Sequence, residues 1–302
     1  MEGSLTSLHA VARATVTLGV EVAEDHPSVP VLGMQRFGTG VVVGPGRILT
    51  VNYVVLGAER IAVTDTDGAE CDAVVLAQDF FTGVSVVGAD TSLPPAIDAG
   101  DSAAVAVGDD VFTVASVGGS ERRTSSGFVA GRDPFDAYWE YALESGLWVS
   151  LVNPGLGGAP LCDRSGRLVG IVSLNLGAIG RSTLAVPAEH YYDHADELLE
   201  HGRRVSRRAR AWLGMFCYAV DGRMVVAGLI PGGPGDSSGL AVGDVIVSLD
   251  AEHVRDRPQL YEALWRHGPG ETVAVGVLRG GDIEELDVET GDAESFFALS
   301  VS

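Results

Sequence analysis

The sequence contains no lysine. All 20 basic residues are arginine, against 41 acidic ones, for a formal net charge of −21. Acidity of this order disfavours nucleic acid and anionic membranes as general partners. Cysteine is scarce: Cys71, Cys162 and Cys217 are far apart, odd in number and in no metal-ligand spacing. They read as small, partly buried hydrophobes rather than a disulfide framework. No apolar run reaches the roughly 18 uncharged residues that a membrane span needs. The opening Met1-Glu2-Gly3-Ser4 shows no basic n-region and no cleavage site. The expected compartment is the cytoplasm as the chain stands, or the periplasm or exterior if the N-terminus is truncated. Histidine is missing throughout the span between His26 and His190.

What is present is a two-domain length, 302 residues, with 46% hydrophobic content and 40 glycines. Short apolar runs broken by turns fill residues 8 to 187. Val41-Val42-Val43, Arg47-Ile48-Leu49-Thr50, Ile61-Ala62-Val63, Val84-Ser85-Val86-Val87, Val111-Phe112-Thr113-Val114 and Leu168-Val169-Gly170-Ile171-Val172 are expected strands. Gly44-Pro45-Gly46, Asp67-Gly68 and Arg164-Ser165-Gly166 separate such runs, a pattern of barrels or a sandwich. One helix is expected from about Ala188 to His201, stopped by Gly202. The cluster from Arg203 to Arg210 reads as a solvated linker that suits the helix dipole, with an anion-binding patch as the alternative. Beyond Ala211 a smaller module follows, with Asp256 and Pro258 opening a helix over Gln259 to His267. His190 and His194 are four apart, but Tyr191 stands where the zinc-protease pattern needs a Glu. No metal and no cofactor is expected.

Several segments, in order, resemble the HtrA (DegP-like) family, a chymotrypsin-fold protease domain followed by a PDZ domain. They are Phe37-Gly38-Thr39-Gly40, Gly108-Asp109-Asp110-Val111, Ser126-Gly127-Phe128-Val129, Asn153-Pro154-Gly155 with Gly158-Ala159-Pro160-Leu161, Ala185-Val186-Pro187, Trp212-Leu213-Gly214-Met215 and Gly243-Asp244-Val245-Ile246. The resemblance implies a mainly β chain: a chymotrypsin-like double β-barrel over 1–187, a helix and Arg-rich linker over 188–210, and a smaller α+β PDZ domain over 211–302. It also implies that the triad is degenerate. Tyr53 occupies the position of the family histidine, Gly83 that of the aspartate and Gly157 that of the serine, within a residual oxyanion loop of Gly155, Leu156 and Gly157.

That chemistry needs a nucleophile, a base and an orienting carboxylate. Loss of the serine or histidine alone costs about 10⁶ in turnover in another triad enzyme. Glycine cannot attack, and a tyrosine with an ordinary pKa near 10 is a poor base. The expected function is a catalytically inactive homologue that binds protein or peptide C-termini, or exposed segments, as scaffold or regulator. The alternatives are an active HtrA-type serine endopeptidase of protein quality control and a chaperone-like binder of unfolded chains. In the PDZ reading, Leu213, Gly214 and Met215 form the carboxylate loop. Phe216 and Tyr218 lie on the pairing strand, with Cys217 between them. Leu260 and Leu264 are groove-wall candidates, with core packing, or the neighbours Tyr261 and Trp265, as the other choice. An active HtrA-type relative and a homo-oligomer are partners implied by the resemblance alone.

Overall fold

A computed structural model describes residues 2–89, 93–176 and 182–298. The outer ends of the two expected domains, Met1 and residues 299–302, lie outside the described residues. Two compact units emerge: Met1–Phe135 with Leu143–Val205, and Asp136–Ala142 with Ser206–Ser302. Among the described residues no helix is long and apolar enough to cross a membrane.

The first unit holds two closed six-stranded barrels. Helix α1 (Glu2–Ala14) leads into β1 (Thr15–Val22), followed by α2 (Val29–Leu32), β2 (Gln35–Gly44), β3 (Arg47–Val51), α3 (Asn52–Val55), β4 (Ala58–Thr64), β5 (Glu70–Asp79) and β6 (Val84–Ala89). These strands close in the order β1-β2-β3-β6-β5-β4. Alternation decides the faces: Val16, Leu18 and Val20 are buried core residues of β1. Thr17, between them, is buried but hydrogen-bonded across to Ser116 Oγ of the second barrel at 2.5 Å. That barrel comprises β7 (Asp110–Gly118), β8 (Glu121–Ala137), β9 (Tyr141–Val149), β10 (Pro160–Asp163), β11 (Leu168–Asn175) and β12 (Thr183–Pro187). It closes in the order β10-β11-β12-β9-β8-β7 around Val111, Val129, Leu147, Leu161, Val169 and Val172.

Three expectations need correction here. The N-terminal helix α1 was not foreseen; Val11 and Ala14 bury its last turns. The expected helix over 188–201 is two, α4 (Glu189–Tyr192) and α5 (Ala195–His201), because His194 leaves the helical region and Asp196 and Glu197 open a second N-terminal turn. Gly202 does end it, in the left-handed conformation. The arginine run is not wholly solvated, since Arg204 is buried and paired with Glu197 at 3.3 Å and Asp79 at 3.7 Å.

The second unit is a six-stranded sheet with helices. After β13 (Met215–Val220) and β14 (Arg223–Leu229) come α6 (Pro234–Ser237), β15 (Val245–Leu249), β16 (Glu252–His253), α7 (Arg257–Leu264), β17 (Thr272–Arg279), β18 (Asp282–Glu289) and α8 (Ala293–Ala298). The order is β13-β14-β15-β17-β18, with β16 beside β15, so β13 is an edge strand. Asp256 caps α7 by accepting from the Gln259 N–H at 2.9 Å. Its helix starts two residues earlier and ends three earlier than expected, at Leu264. The core gathers Leu213, Met215, Cys217, Val226, Leu260, Leu264 and Val275. The remaining part of this unit is the tip joining β8 to β9, a turn over Tyr138–Glu140 in which Glu140 has φ 58°.

Candidate functional site

In the first unit, three loops meet where the sequence placed its degenerate positions. The ladder between β3 and β6 sets Val51 opposite Val84, and the Asn52 N–H donates to the Gly83 carbonyl at 2.8 Å. Gly83 thus adjoins the helical turn that carries Tyr53. Arg36 fixes that turn from its far end, donating to the Leu56 carbonyl at 2.7 Å and the Tyr53 carbonyl at 3.3 Å. Asn52 fixes it from the near end: its amide donates to the Asp79 carbonyl at 3.0 Å and its oxygen bonds Ser85 Oγ at 2.6 Å.

The Tyr53 side chain then reaches the loop before β10. Its hydroxyl donates to the Ser173 carbonyl at 2.8 Å, and a Cβ built on Gly157 would land on that hydroxyl. Burial pushes the Tyr53 hydroxyl up to about 12, so it stays protonated and acts as a donor. The two residues are brought into contact; Gly83 meets the Tyr53 turn through its backbone.

Thr39, which sequence reasoning did not single out, holds this loop. It lies between Gly38 and Gly40, where a side chain would collide with Val54 or Ile48. Its Oγ1 donates to the Leu156 carbonyl at 2.8 Å, and its N–H donates to the Gly157 carbonyl at 2.7 Å. Leu156 in turn donates its N–H to the Ser116 carbonyl at 2.8 Å, and Gly158 donates to Val172 at 2.8 Å. The Gly155 N–H meets Asn153 Oδ1 at 3.4 Å. A Cβ at Gly155 would strike the Ser116 carbonyl, and one at Gly158, at φ +92°, the Thr39 carbonyl. Cys162 is fully buried and its thiol is pushed well up by burial, which leaves it no thiolate to act with.

The second unit contains the other candidate. Gly214, at φ 75°, turns successive backbone N–H groups the same way. The Glu140 carboxyl sits on them: Oε2 accepts from Leu213 N at 3.0 Å and Gly214 N at 3.2 Å. Glu140 as a residue is half-buried, yet its carboxyl end is enclosed. Burial raises its pKa to about 8, against the opposing pull of the Leu213, Gly214 and Met215 N–H groups. On the open edge of β13, Cys217 N donates to the Tyr138 carbonyl at 2.7 Å. Tyr138 and Tyr218 stack with centroids 4.5 Å apart.

Leu260 and Leu264 are both fully buried in the core cluster. Four-residue spacing puts them on one face of α7, packed in that core. Tyr261, beside them, is the residue whose hydroxyl meets the segment, donating to the Ala137 carbonyl at 2.5 Å and accepting from Glu140 N at 2.9 Å. Phe216 is half-buried and Tyr218 exposed on the strand. Thr39, Glu140, Tyr138 and Tyr261 share one property: only chain reversals over long separations give them a role.

Two family models match, a trypsin-like peptidase domain over residues 38–171 and a PDZ domain over 210–290. A probable periplasmic serine endoprotease DegP-like from Halomonas elongata is 30% identical over 85% of this chain. The chain belongs to the HtrA (DegP-like) family. A second DegP-like relative, from Hahella chejuensis, is 29% identical over 85% of the chain. The chain spans 57% of the length of either relative. Among solved structures, the HtrA-type protease AlgW with a decapeptide matches at 25% identity and TM-score 0.56, over 96% of this chain and 98% of that one. A Yersinia pestis serine endoprotease matches in fold at 20% identity and TM-score 0.54, over 96% and 97% of the two chains. The mainly β architecture, a trypsin-like domain followed by a PDZ domain, is that of the HtrA structures. The relatives' names are periplasmic, so the cytoplasmic expectation finds no support among them.

Proposed function

We propose that this HtrA-family chain is catalytically inert and works as a reader of protein C-termini or exposed segments through its PDZ domain, as scaffold or regulator. The observation that carries this reading is the position of the Tyr53 hydroxyl, on the spot that a side chain at residue 157 would need. Tyr53, Gly83 and Gly157 are taken as the degenerate histidine, aspartate and serine positions. With them, none of the three roles of acyl transfer has an occupant. Backbone donors and binding alone would leave roughly 10³–10⁴ over the water reaction, far below a working protease. No histidine lies between His26 and His190 to supply a displaced base.

The relatives are named as endoproteases and extend beyond the region matched here, so their activity does not transfer with the fold. The binding half of the reading has its own support. The AlgW structure holds a decapeptide, and here Leu213 and Gly214 present N–H groups to a carboxyl. A terminal carboxylate is the natural exogenous occupant of such a backbone anion site. We place the protein with its relatives in the periplasm.

The test uses the full chain and a library of peptides with free C-termini. Binding in the micromolar range, about −8 kcal/mol, is the expected scale. Amidation of the best peptides is expected to weaken them at least about tenfold, a loss of ~1.4 kcal/mol for the charged hydrogen bonds. Equal affinity for acid and amide would contradict the carboxylate reading.

A further inference from the structure

We infer that Asp136–Ala142 is a built-in ligand of the peptide groove, and that its contacts spell out the C-termini that replace it: tails with an aromatic residue two positions, and an acidic residue four positions, before the terminal carboxylate. The inference rests on the C-terminus-reading function proposed above. It adds the occupant of the resting groove and the chemical class of the partner.

The segment reproduces each element of strand-addition recognition. The Glu140 side-chain carboxyl stands in for a peptide's terminal carboxylate on Leu213 N and Gly214 N. Two residues earlier, the Tyr138 carbonyl accepts from Cys217 N at 2.7 Å, on the side of β13 that β14 does not use. The Tyr138 ring lies on Tyr218 at an interplanar angle of 22°. Four residues before Glu140, Asp136 Oδ2 accepts from Arg257 Nε at 2.6 Å. Tyr261 closes the segment against α7 through Ala137 and Glu140.

The enclosure of the carboxyl marks this as specific docking rather than passive proximity. A hairpin tip ordinarily leaves its carboxylate in water, since enclosing one is costly unless donors meet it; here the Leu213 and Gly214 N–H groups are those donors. An incoming tail must therefore displace the segment, and its apparent affinity is its intrinsic affinity scaled by the fraction of open grooves.

The experiment titrates the full chain with fluorescent peptides ending Asp-Ala-Tyr-Trp-Val. One is a free acid and one an amide; a third acid has Lys in place of the Asp. In Glu140→Ala the free acid is expected to bind at least ~10-fold more tightly than in the unaltered chain, because the competitor is gone. Glu140→Gly suits the φ of 58° and also removes the carboxyl, so it should move the same way if the alanine variant fails to fold. Arg257→Glu should reverse the preference between the Asp and Lys peptides. If the folded Glu140 variants bind the acid no more tightly, with the amide still weaker, the built-in ligand is refuted and the groove reading survives. If acid and amide bind alike, or neither binds in any variant, the groove reading falls and this inference with it. An unchanged Asp-over-Lys preference in Arg257→Glu refutes the acidic position of the motif.

Discussion

The two sites of this chain are both occupied by the chain itself, but by occupants of different kinds. At the barrel site, one rigid side chain lies where another would have to be. Tyr53 sits on a single helical turn fixed by Arg36 and Asn52, and its hydroxyl is tied to Ser173. In the PDZ groove the occupant is a hairpin tip held by a few hydrogen bonds, a ring stack and one ion pair. Emptying the first needs a change of sequence, whereas emptying the second needs only a better ligand. On the reading proposed above, core packing at the barrel would remove a function, whereas a tethered segment in the groove would regulate one.

The sharpest way to break this contrast is to rebuild the barrel chemistry. Gly157→Ser alone is expected to give no peptide hydrolysis and to lose roughly 1–3 kcal/mol of stability, because its Cβ meets Tyr53. Adding Tyr53→His should relieve the crowding and supply a base. The triple variant with Gly83→Asp supplies all three roles, and such effects are strongly non-additive, ~10⁴ or more in turnover. Residue 83 has φ 76°, a conformation that Asp tolerates better than most residues. Denaturant melts and a peptide hydrolysis assay across the seven variants check the order. Hydrolysis by Gly157→Ser comparable to the triple variant would show that another base serves the site.

A smaller effect should appear with pH, and only at the groove. Docked Glu140 has a pKa of about 8, against 4.5 as the ordinary value. Docking therefore takes up a proton, and the docked state loses stability as pH rises from about 4.5 through about 8. The titratable groups nearest the carboxyl are Cys217 on β13, pushed up to about 12, and Tyr261 on α7, pushed higher still, so neither ionises in that window. Arg257 on α7 is engaged by Asp136. Relative to Glu140→Ala, the unaltered chain should gain affinity for free-acid peptides between pH 5 and pH 8. A constant ratio would contradict the docking of a protonated Glu140.

Smallest of all is the effect of Tyr53→Phe. It removes the hydrogen bond to Ser173 while leaving the ring in place. A loss of about 0.5–1.5 kcal/mol is expected by thermal or chemical melting. Peptide affinity should not change, because the groove draws on other residues.

Much of this was legible in the sequence, for identifiable reasons. Barrel strands announce themselves by short β-branched runs, and the Gly157 and Tyr53 positions by the motifs around them. The collision between those two was not legible, since it depends on where a ring points after a turn. Nor was Thr39, whose importance comes from lying between two glycines that let β2 approach Val54 and Ile48. Leu260 and Leu264 carried a spacing that a core face and a groove wall share equally. Glu140 was not legible either, because its partner Leu213 is 73 residues away along the chain. Helix α1 was not legible because it runs directly into β1, Ala14 to Thr15, with no turn residue to mark the change.

The central claim, that the barrel site has no nucleophile, is tested most directly by intact-mass analysis after incubation with a fluorophosphonate. The unaltered protein should emerge at its native mass, with no serine modified under conditions that fully label an active serine protease. One stoichiometric adduct per chain, surviving repurification and abolished by replacing a single serine, would contradict it.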